Sequence, residues 1–305
     1  MSLALHRYRL RFVAETPVRF GAFAGSAWRG VLGRQLKRLV CVMRGRPCEG
    51  CPLERSCPYP VVFEPRPRPD LPLMRRYERV PTPYLLDPRT PTPVALEPGE
   101  AFELEVRILG GARRHALYVL KALELGAAQG IGLGRGRLQL AAVEGPEERT
   151  GPDGDSGAAG PVRVHLERPL RLVYEGRLLG PDRFTARAFL MPLVRRIGLL
   201  AAFYGKPPDW DFRALKLRAQ SVPVLAQQLR WQEQTRRSAR QGGLTPMGGL
   251  VGSFTLDLGA APEFGPLLAF GRWLHLGKGA SMGMGKYRTA PAGRPAEAPS
   301  HQRPS

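Results

Sequence analysis

The chain has 305 residues, a formal net charge of +20 and a sequence pI of about 10.9, and 43% of its residues are hydrophobic. This length suits two domains that each bury a core, and the hydrophobic content excludes a disordered basic tail. So strong a positive field favours nucleic acid as a partner over an anionic membrane surface. Six of the 46 basic residues are lysines and 40 are arginines, whose planar guanidinium suits bidentate phosphate contacts.

The start of the chain and its hydropathy indicate where the protein works. The opening residues, MSLALHRYRLRF, carry basic side chains where a signal peptide needs an apolar run, and no stretch of about 18 apolar residues occurs. We therefore expect a cytoplasmic protein with no membrane partner.

The first half of the chain has the pattern of strand, helix, irregular segment, strand, helix and strand. Residues 3–14 and 101–109 alternate apolar and polar side chains, as half-buried strands do. Residues 25–40 predict an amphipathic helix whose polar face is basic. The proline-rich segment 58–99 contains two short strand candidates, YPVVFEP and PTPYLLD, and residues 112–126 predict a helix that leads through glycines into a further strand.

The second half repeats this plan after a linker at 145–161, GPEERTGPDGDSGAAGP. Strand candidates at 162–175, a helix at 183–204, two strands around a basic turn within 228–258, a helix at 262–275 and a last strand follow. The repeat predicts an α+β fold of two ferredoxin-like (RRM-like) domains in tandem, with antiparallel sheets and helices on one face. We expect domains at 1–144, with a cysteine-rich insertion at 41–60, and at 162–289, followed by a disordered tail at 290–305.

The four cysteines of the chain, Cys41, Cys48, Cys51 and Cys57, lie within 17 residues in a C-x6-C-x2-C-x5-C pattern. Four soft ligands so close together in a cytoplasmic protein predict one tetrahedral metal site rather than disulfides. A structural Zn²⁺ and a 4Fe-4S cluster both fit, and the spacing resembles the cluster loop of endonuclease-three-type DNA glycosylases. Free thiols are the alternative, and because the set leaves no open coordination position, the expected cysteine-rich metal knob would be structural.

A glycine-rich segment, GRWLHLGKGASMGMGKYR, closes the second half at residues 271–288. It fits neither a dinucleotide fingerprint nor a Walker A loop, because Met282 and Arg272 stand where those motifs need glycine. Glycines that alternate with small and basic residues instead let a backbone approach an extended anion, although a glycine-rich turn with packing duties alone is the alternative. The expected phosphodiester contacts are Gly277, Gly279, Gly283, Gly285, Lys286 and Arg288.

This segment resembles the C-terminal signature of the CRISPR-associated RAMP endoribonucleases that cut precursor CRISPR RNA at its repeats, the sixth Cas family. The resemblance extends to WQEQTRRSARQGGLTPMGGLVGSF, AGSAWRGVLGRQLKRLVC and CEGCPLERSCPYPVVFEP. It implies tandem ferredoxin-like domains that bind CRISPR repeat RNA along a basic face, with other Cas effector subunits as further partners. It also implies metal-independent cleavage, in which a 2′-hydroxyl attacks the adjacent phosphate.

Such a reaction needs a general base, a general acid and positive charge beside the phosphorane. His275 is our first candidate, because it closes a predicted helix whose C-terminus would favour its charged form, and Lys278 is the candidate for transition-state stabilisation. A histidine that merely caps the helix is the alternative. Many members of the family use a histidine near the first helix, and this chain has none between Gly21 and Cys57. The helix residues that would provide a basic site instead, or bind RNA, are Arg29, Arg34, Lys37 and Arg38.

The basic turn of the second half predicts a β-hairpin that contacts an RNA stem. Its arginines are Arg230, Arg236, Arg237 and Arg240, and a solvated hairpin tip is the alternative. Two other functions stay open at this point: a non-catalytic RAMP subunit that binds guide RNA in an effector complex, and a cluster-bearing DNA glycosylase. The glycosylase reading is disfavoured because the cysteines lie early in a strand-rich chain.

Overall fold

The computed structural model describes residues 2–68, 70–71, 73–74, 80–151, 160–237 and 244–292, without the side chains of 236, 237, 244 and 245. Its first half contains β1 (Ala4–Ala14), β2 (Val18–Phe20), α1 (Ala24–Val40), α2 (Pro58–Val62), β3 (Tyr84–Pro88), β4 (Val94–Leu96), β5 (Ala101–Leu109), α3 (Ala116–Ala128) and β6 (Leu138–Thr150). Its second half contains β7 (Pro161–Leu170), β8 (Val173–Tyr174), β9 (Arg177–Leu178), α4 (Ala186–Tyr204), α5 (Phe212–Ser221), β10 (Val224–Gln232), β11 (Thr235–Arg237), β12 (Leu244–Pro246), β13 (Gly249–Asp257), α6 (Phe264–Leu274) and β14 (Tyr287–Pro291).

The first half is built on a four-stranded antiparallel sheet in the order β3-β5-β1-β6. Strand β1 alternates because every second side chain, from Tyr8 on, packs on the core of the first half. Its core face carries Tyr8, Leu10 and Phe12, which share a hydrophobic cluster with Trp28 of α1 and Leu123 of α3. The expected alternation of residues 3–14 and the expected amphipathic helix are therefore both present.

The second half repeats this arrangement with a four-stranded antiparallel sheet in the order β10-β13-β7-β14. Its core face carries Val164 and Leu166 of β7 and Phe254 of β13, which cluster with Phe189 of α4 and Phe264 of α6. The fold is therefore a mixed one with two antiparallel sheets, each having helices packed on one face, as the sequence predicts.

The two halves are packed against each other through apolar side chains. Leu3, Leu5, Leu85 and Leu109 of the first half belong to the hydrophobic cluster of the second half. The Tyr204 hydroxyl, at the end of α4, donates to the carbonyl of Pro81 at 2.7 Å. The core of the second half thus continues onto the face of the first sheet that its own helices leave uncovered.

An indole ring marks the polar part of the same interface. Trp273, near the end of α6, is covered by three guanidinium groups of the first sheet. Those of Arg7, Arg107 and Arg149 lie 5.4, 5.2 and 4.2 Å from the ring centroid. Cations over an aromatic face are attracted by its quadrupole, so these contacts hold α6 on the first sheet.

Two predicted segments differ from the structure. YPVVFEP, predicted as a strand, overlaps α2, because Pro58 and Pro60 have the preset φ that suits a first helical turn. The predicted linker at 145–161 is shorter, since β6 continues through Thr150 and pairs with β1. Residues 152–159 of that linker lie outside the described residues, and the domain boundaries themselves stay predictions.

Two further differences concern a helix and the tail. The sequence interpretation missed α5, whose first turn is capped by Asp211 through bonds from the amides of Arg213 and Ala214. The expected disordered tail falls almost wholly outside the described residues, and its first residues, Ala290 and Pro291, form the end of β14. Among the described helices, none has the length and apolar character needed to cross a bilayer.

Candidate nucleic-acid interface

Helix α6 ends within the glycine-rich segment, and two arginines bind its last carbonyls. Arg107 of β5 donates to the carbonyl of Trp273 at 2.9 Å. Arg196 of α4 donates twice to the carbonyl of Leu274, at 3.0 and 2.7 Å. The last carbonyls of a helix have no intrahelical partner and carry partial negative charge, so guanidinium donors stabilise this end.

Residues 277–285, called here the glycine loop, form a compact turn with a short 3₁₀ segment at Ala280–Met282. The amide of Lys278 donates to the carbonyl of Arg171, and the amide of Gly285 to that of Pro169, which joins the loop to the second sheet. Gly285 has φ 63°, and a Cβ there would lie 1.7 Å from the carbonyl oxygen of Leu276. Only glycine fits this position.

Some amides of the loop backbone have no hydrogen-bond acceptor among the described residues. The amides of Leu276, Lys278 and residues 282–285 donate to backbone carbonyls. The amides of Gly277, Gly279, Ala280 and Ser281 donate to no protein acceptor within the described residues. The amides of Gly283 and Gly285 already donate to carbonyls of the protein, so these two expected phosphate contacts have no backbone amide to offer.

The glycine loop touches the N-terminal end of α1. A Cβ on Gly25 of α1 would lie 2.0 Å from the carbonyl oxygen of Met282, so the helix and the loop are in direct backbone contact. On its other side the loop lies against β3, where a Cβ on Gly283 would lie 3.1 Å from the carbonyl oxygen of Leu86. The structure thus brings together two segments that the sequence analysis selected independently.

His275 occupies the junction between α6 and the loop and is fully buried. Its Nε2 lies 3.2 Å from Nη1 of Arg107 and 3.9 Å from Oδ2 of Asp87. Burial lowers the pKa of His275 well below 6.5; Asp87 raises it, and Arg107 and Lys286 lower it further. The expectation that the helix end favours the charged form is therefore wrong, because loss of solvation outweighs the helix dipole.

Beneath the loop, His275 belongs to a buried cluster of charged side chains centred on Asp87 of β3. Lys286 Nζ lies 2.9 Å from Asp87 Oδ2, and Arg107 Nη2 lies 3.6 Å from it. Burial raises the pKa of Asp87, but His275, Lys286 and Arg107 hold it at about 2. Arg107 also donates to Glu105 at 2.7 Å. Lys286, an expected RNA contact, is therefore engaged inside the protein.

The remaining basic candidates lie on the surface. Lys278 is exposed, with no ion pair to any described side chain, and Arg34 and Arg38 are exposed on α1. Arg29 stacks on the Phe63 ring at 4.7 Å, and Lys37 lies 5.3 Å from the Tyr59 ring centre. These two cations are held in place by aromatic neighbours.

The predicted hairpin is present in the backbone as β11 and β12, which pair antiparallel from Thr235 and Pro246 to Arg237 and Leu244. Arg230 is exposed on β10. Arg236 and Arg237 lie on β11, and Arg240 lies outside the described residues. Arg288, at 41% side-chain exposure, faces Glu167 at 4.0 Å.

The four cysteines lie between the end of α1 and the start of α2, and all four line one small pocket with Val40, Met43 and Arg46. Burial raises the pKa of the Cys48 and Cys57 thiols, and each also senses other members of the set. Within the described ranges, no three His, Cys, Asp or Glu side chains are arranged as metal ligands. The donor set suits a soft metal, and the predicted knob stays a prediction.

Sequence reasoning missed Asp87, Glu105 and Arg107. The available signal was the alternation in AFELEVRIL, which places Glu105 and Arg107 on the face of β5 opposite its core side chains. An open sheet face accounts for charged residues there, so alternation alone does not show that a second half covers them.

The comparisons with known proteins agree with this geometry. Residues 3–157 match a family model described as an N-terminal domain, and residues 164–287 match the model of the CRISPR-associated endoribonuclease Cas6. The comparison with curated proteins found no match.

Several solved structures share the fold over almost the whole chain. A Cas6 product complex is 18% identical, with 94% of this chain and 100% of that chain covered and a TM-score of 0.57. Cas6 from Thermus thermophilus is 16% identical, with 95% and 99% covered and a TM-score of 0.57. A partial Cas6-RT-Cas1–Cas2 complex is 13% identical, with 94% of this chain and 46% of that chain covered and a TM-score of 0.58. Residues 164–287 therefore belong to the family of CRISPR-associated Cas6 endoribonucleases, and the solved structures show that the chain as a whole has the Cas6 fold.

Proposed function

We propose that this protein binds CRISPR repeat RNA across α1 and the glycine loop and cleaves precursor CRISPR RNA there to give mature guide RNA. The observation that carries the proposal is the backbone contact between Gly25 and Met282, which joins the two segments into one surface. Basic side chains of α1 and Lys278 flank that contact, and a net charge of +20 favours a polyanion. A product complex of a similar Cas6 protein supports the same chemistry.

We further infer that each half is a ferredoxin-like domain. The support is that the two sheets have the same strand order. In each sheet the strand that comes first in the chain, β1 or β7, lies between the third, β5 or β13, and the fourth, β6 or β14. The second strand of each sheet, β3 or β10, lies at an edge.

The proposed reaction requires no metal ion. The 2′-oxygen of the nucleotide before the cut attacks the phosphorus, the bond to the 5′-oxygen breaks, and a cyclic phosphate and a 5′-hydroxyl result. Lys278, with the amides of Gly279 and Ala280, would stabilise the charge that develops on the non-bridging oxygens. Arg29 and Lys37 would hold the RNA backbone along α1.

The assignment of proton transfer to His275 stays a prediction. In the conformation described here, neither ring nitrogen reaches solvent, and Nδ1 has no hydrogen-bond partner among the described residues. Direct transfer would therefore require the junction of α6 and the glycine loop to open. The basic residues of α1 are the alternative predicted site, and they need no such opening.

We propose that Cys41, Cys48, Cys51 and Cys57 hold one structural Zn²⁺ or 4Fe-4S cluster. The support is their convergence on one pocket at the end of α1. Metal analysis and the visible spectrum of anaerobically purified protein distinguish the two, because a cluster absorbs visible light and zinc does not. Protein with neither zinc nor iron, and with four thiols that react freely, would contradict the proposal.

Purified protein incubated with repeat RNA in EDTA tests the cleavage proposal. We expect one cut within the repeat, products with a cyclic phosphate and a 5′-hydroxyl, and no cut in RNA with a 2′-deoxynucleotide before the scissile bond. Tight binding without cleavage would instead favour a non-catalytic guide-RNA subunit. Cleavage that stops in EDTA would contradict the metal-independent mechanism.

Association with other Cas subunits is also a proposal. A relative of similar fold is part of a Cas6-RT-Cas1–Cas2 complex, which is a property of that protein. Co-purification of this chain with the products of neighbouring CRISPR genes would test it.

A further inference from the structure

The second sheet has one face that no described helix covers. Along β7, the side chains of Val164 and Leu166 point into the core, so those of Arg163, His165 and Glu167 point to the opposite face. On this uncovered face Arg163 is exposed and His165 is half-buried.

The strand register aligns polar side chains across the uncovered face. His165 is directly opposite Ser253 of β13 and Arg288 of β14, and Ser253 is opposite Gln228 of β10. Directly opposite residues share a face, and neighbouring strands are about 4.8 Å apart. One polar row therefore crosses all four strands, and the next row along β7 begins with Arg163.

The charge of this face is positive. Arg163 and Arg230 are exposed, and Arg288 retains 41% side-chain exposure. The one carboxylate that β7 contributes, Glu167, is already engaged by two cations, since Lys286 lies 3.7 Å and Arg288 4.0 Å from it. A polyanion therefore meets arginines here without a competing free carboxylate on β7.

His165 differs from its charged neighbours, Arg163, Glu167 and Arg288, in having a neutral ring. Burial, and then the charge of Arg288, lower the pKa of His165 below 6.5. Glu167 raises this pKa by a smaller amount, and Arg163 lowers it by the smallest amount. The ring is therefore neutral at neutral pH. A neutral imidazole between two arginines provides a flat surface and one hydrogen-bond donor, which suits an unpaired base, while the arginines suit its phosphates.

The uncovered face is continuous with the glycine loop. Strand β14 begins two residues after Gly285, and it pairs with β7 along the polar row. The ion pairs of Lys286 with Asp87 and Glu167, and of Glu167 with Arg288, connect the cluster beneath the loop to this face. An RNA strand that leaves the glycine loop therefore meets this face as the next positively charged surface.

We propose that the uncovered face, defined by Arg163, His165, Gln228, Ser253 and Arg288, binds a single-stranded RNA segment that flanks the cleaved repeat. This inference rests on the proposed function, because it places the flank relative to a cut at the glycine loop. It adds a second contact region, with His165 as a base contact and Arg163 and Arg288 as phosphate contacts.

Binding of two RNAs by the full chain tests the inference: the repeat alone, and the repeat with unpaired extensions on both sides. Variants Arg163→Ala and His165→Ala are compared with Arg177→Ala, which removes an exposed arginine from the β8–β9 hairpin. We expect each face variant to lose about tenfold in affinity for the extended RNA and nothing for the repeat alone. For Arg163→Ala, the slope of log affinity against log salt should fall by about 0.7 for the extended RNA.

Two results would overturn the inference: extensions that add no affinity to the wild type, or face variants that weaken both RNAs equally. The first is also the result expected if a protein partner occupies this face. A different result would contradict the proposed function: wild-type protein that binds the repeat but does not cut it. In that case the comparison of affinities would still show whether the uncovered face binds RNA. Cross-links from thiouridine in the extensions should map to β7 and β14.

Discussion

His275, the predicted catalytic residue, takes an internal position in the fold. Its backbone has φ 51° and ψ 168°, a region that non-glycine residues almost never occupy. Such a conformation costs about 1–3 kcal/mol, so surrounding contacts must impose it. Contacts of its ring with Arg107 and Asp87 join the end of α6 to β5 and β3.

Acid should destabilise the protein through His275. Its pKa is depressed by folding, so its contribution to stability is complete above the unfolded value, about 6.5, and is lost as the pH falls below it. We expect the free energy of unfolding to fall by about 1.4 kcal/mol per pH unit below pH 6 for this one proton.

Denaturant titrations between pH 7 and pH 5 measure this effect, with His275→Gln as the comparison. The variant should be less stable at pH 7 but should lose less stability on acidification. The same slope in both proteins would show that His275 is not buried as a neutral ring. Asp87 contributes only at lower pH, because its pKa of about 2 places its loss of stability below pH 4.

Lys278→Ala tests the exposed charge of the glycine loop. Because Lys278 has no partner among the described side chains, the variant should fold normally. We expect single-turnover cleavage of repeat RNA to slow by about 100-fold, with affinity changed much less. Lys216→Ala, which removes an exposed lysine of α5, is the control. Equal cleavage rates for both variants would show that Lys278 takes no part in the reaction.

At the scale of elements, periodic patterns predicted most helices and strands, while breaks in pattern did not. Strand β1 and helix α1 have a complete alternation or amphipathic face and were predicted almost to the residue. Segment α2 was predicted as a strand because its prolines signal only a break. Helix α5 was missed because most of its side chains are exposed, which leaves a weak apolar face.

The glycine loop should tolerate no side chain at Gly285. A Cβ there would lie 1.7 Å from the oxygen of Leu276, and φ is 63°. Gly285→Ala should therefore lower stability by about 1–3 kcal/mol or more, measured as a lower Tm and denaturation midpoint. Gly259→Ala is a suitable control, because its nearest neighbour is a side-chain oxygen at 3.2 Å and its φ is not positive. An unchanged Tm for Gly285→Ala would contradict the loop geometry.

At the scale of the whole molecule, the sequence predicted two similar halves and a basic surface but not how the halves meet. A repeated strand and helix plan is visible along one chain, whereas Asp87, Arg107 and His275 come together only across the interface. Each is chemically ordinary in its own segment. Their role depends on packing between residues far apart in the chain, which the local spacing of residues does not encode.

The account depends on α1 of the first half and the glycine loop of the second forming one RNA-cleaving surface. Gly25 and Gly30 lie on the same helix, but a Cβ on Gly25 would lie 2.0 Å from the Met282 carbonyl oxygen, whereas one on Gly30 would meet only the end of Arg34 at 3.7 Å. Gly25 lies in the first turn of α1 and Gly30 in its interior, so alanine should favour the helix at Gly30 at least as much as at Gly25. The two variants therefore differ mainly in the contact between the halves.

The decisive measurement is single-turnover cleavage of repeat RNA by Gly25→Ala and Gly30→Ala, with Tm recorded for both. We predict that Gly25→Ala loses about 100-fold or more in rate while it remains folded, because neither Gly25 nor Met282 belongs to either hydrophobic cluster. Gly30→Ala should cleave like the wild type. Equal rates for the two variants would contradict a shared site between α1 and the glycine loop.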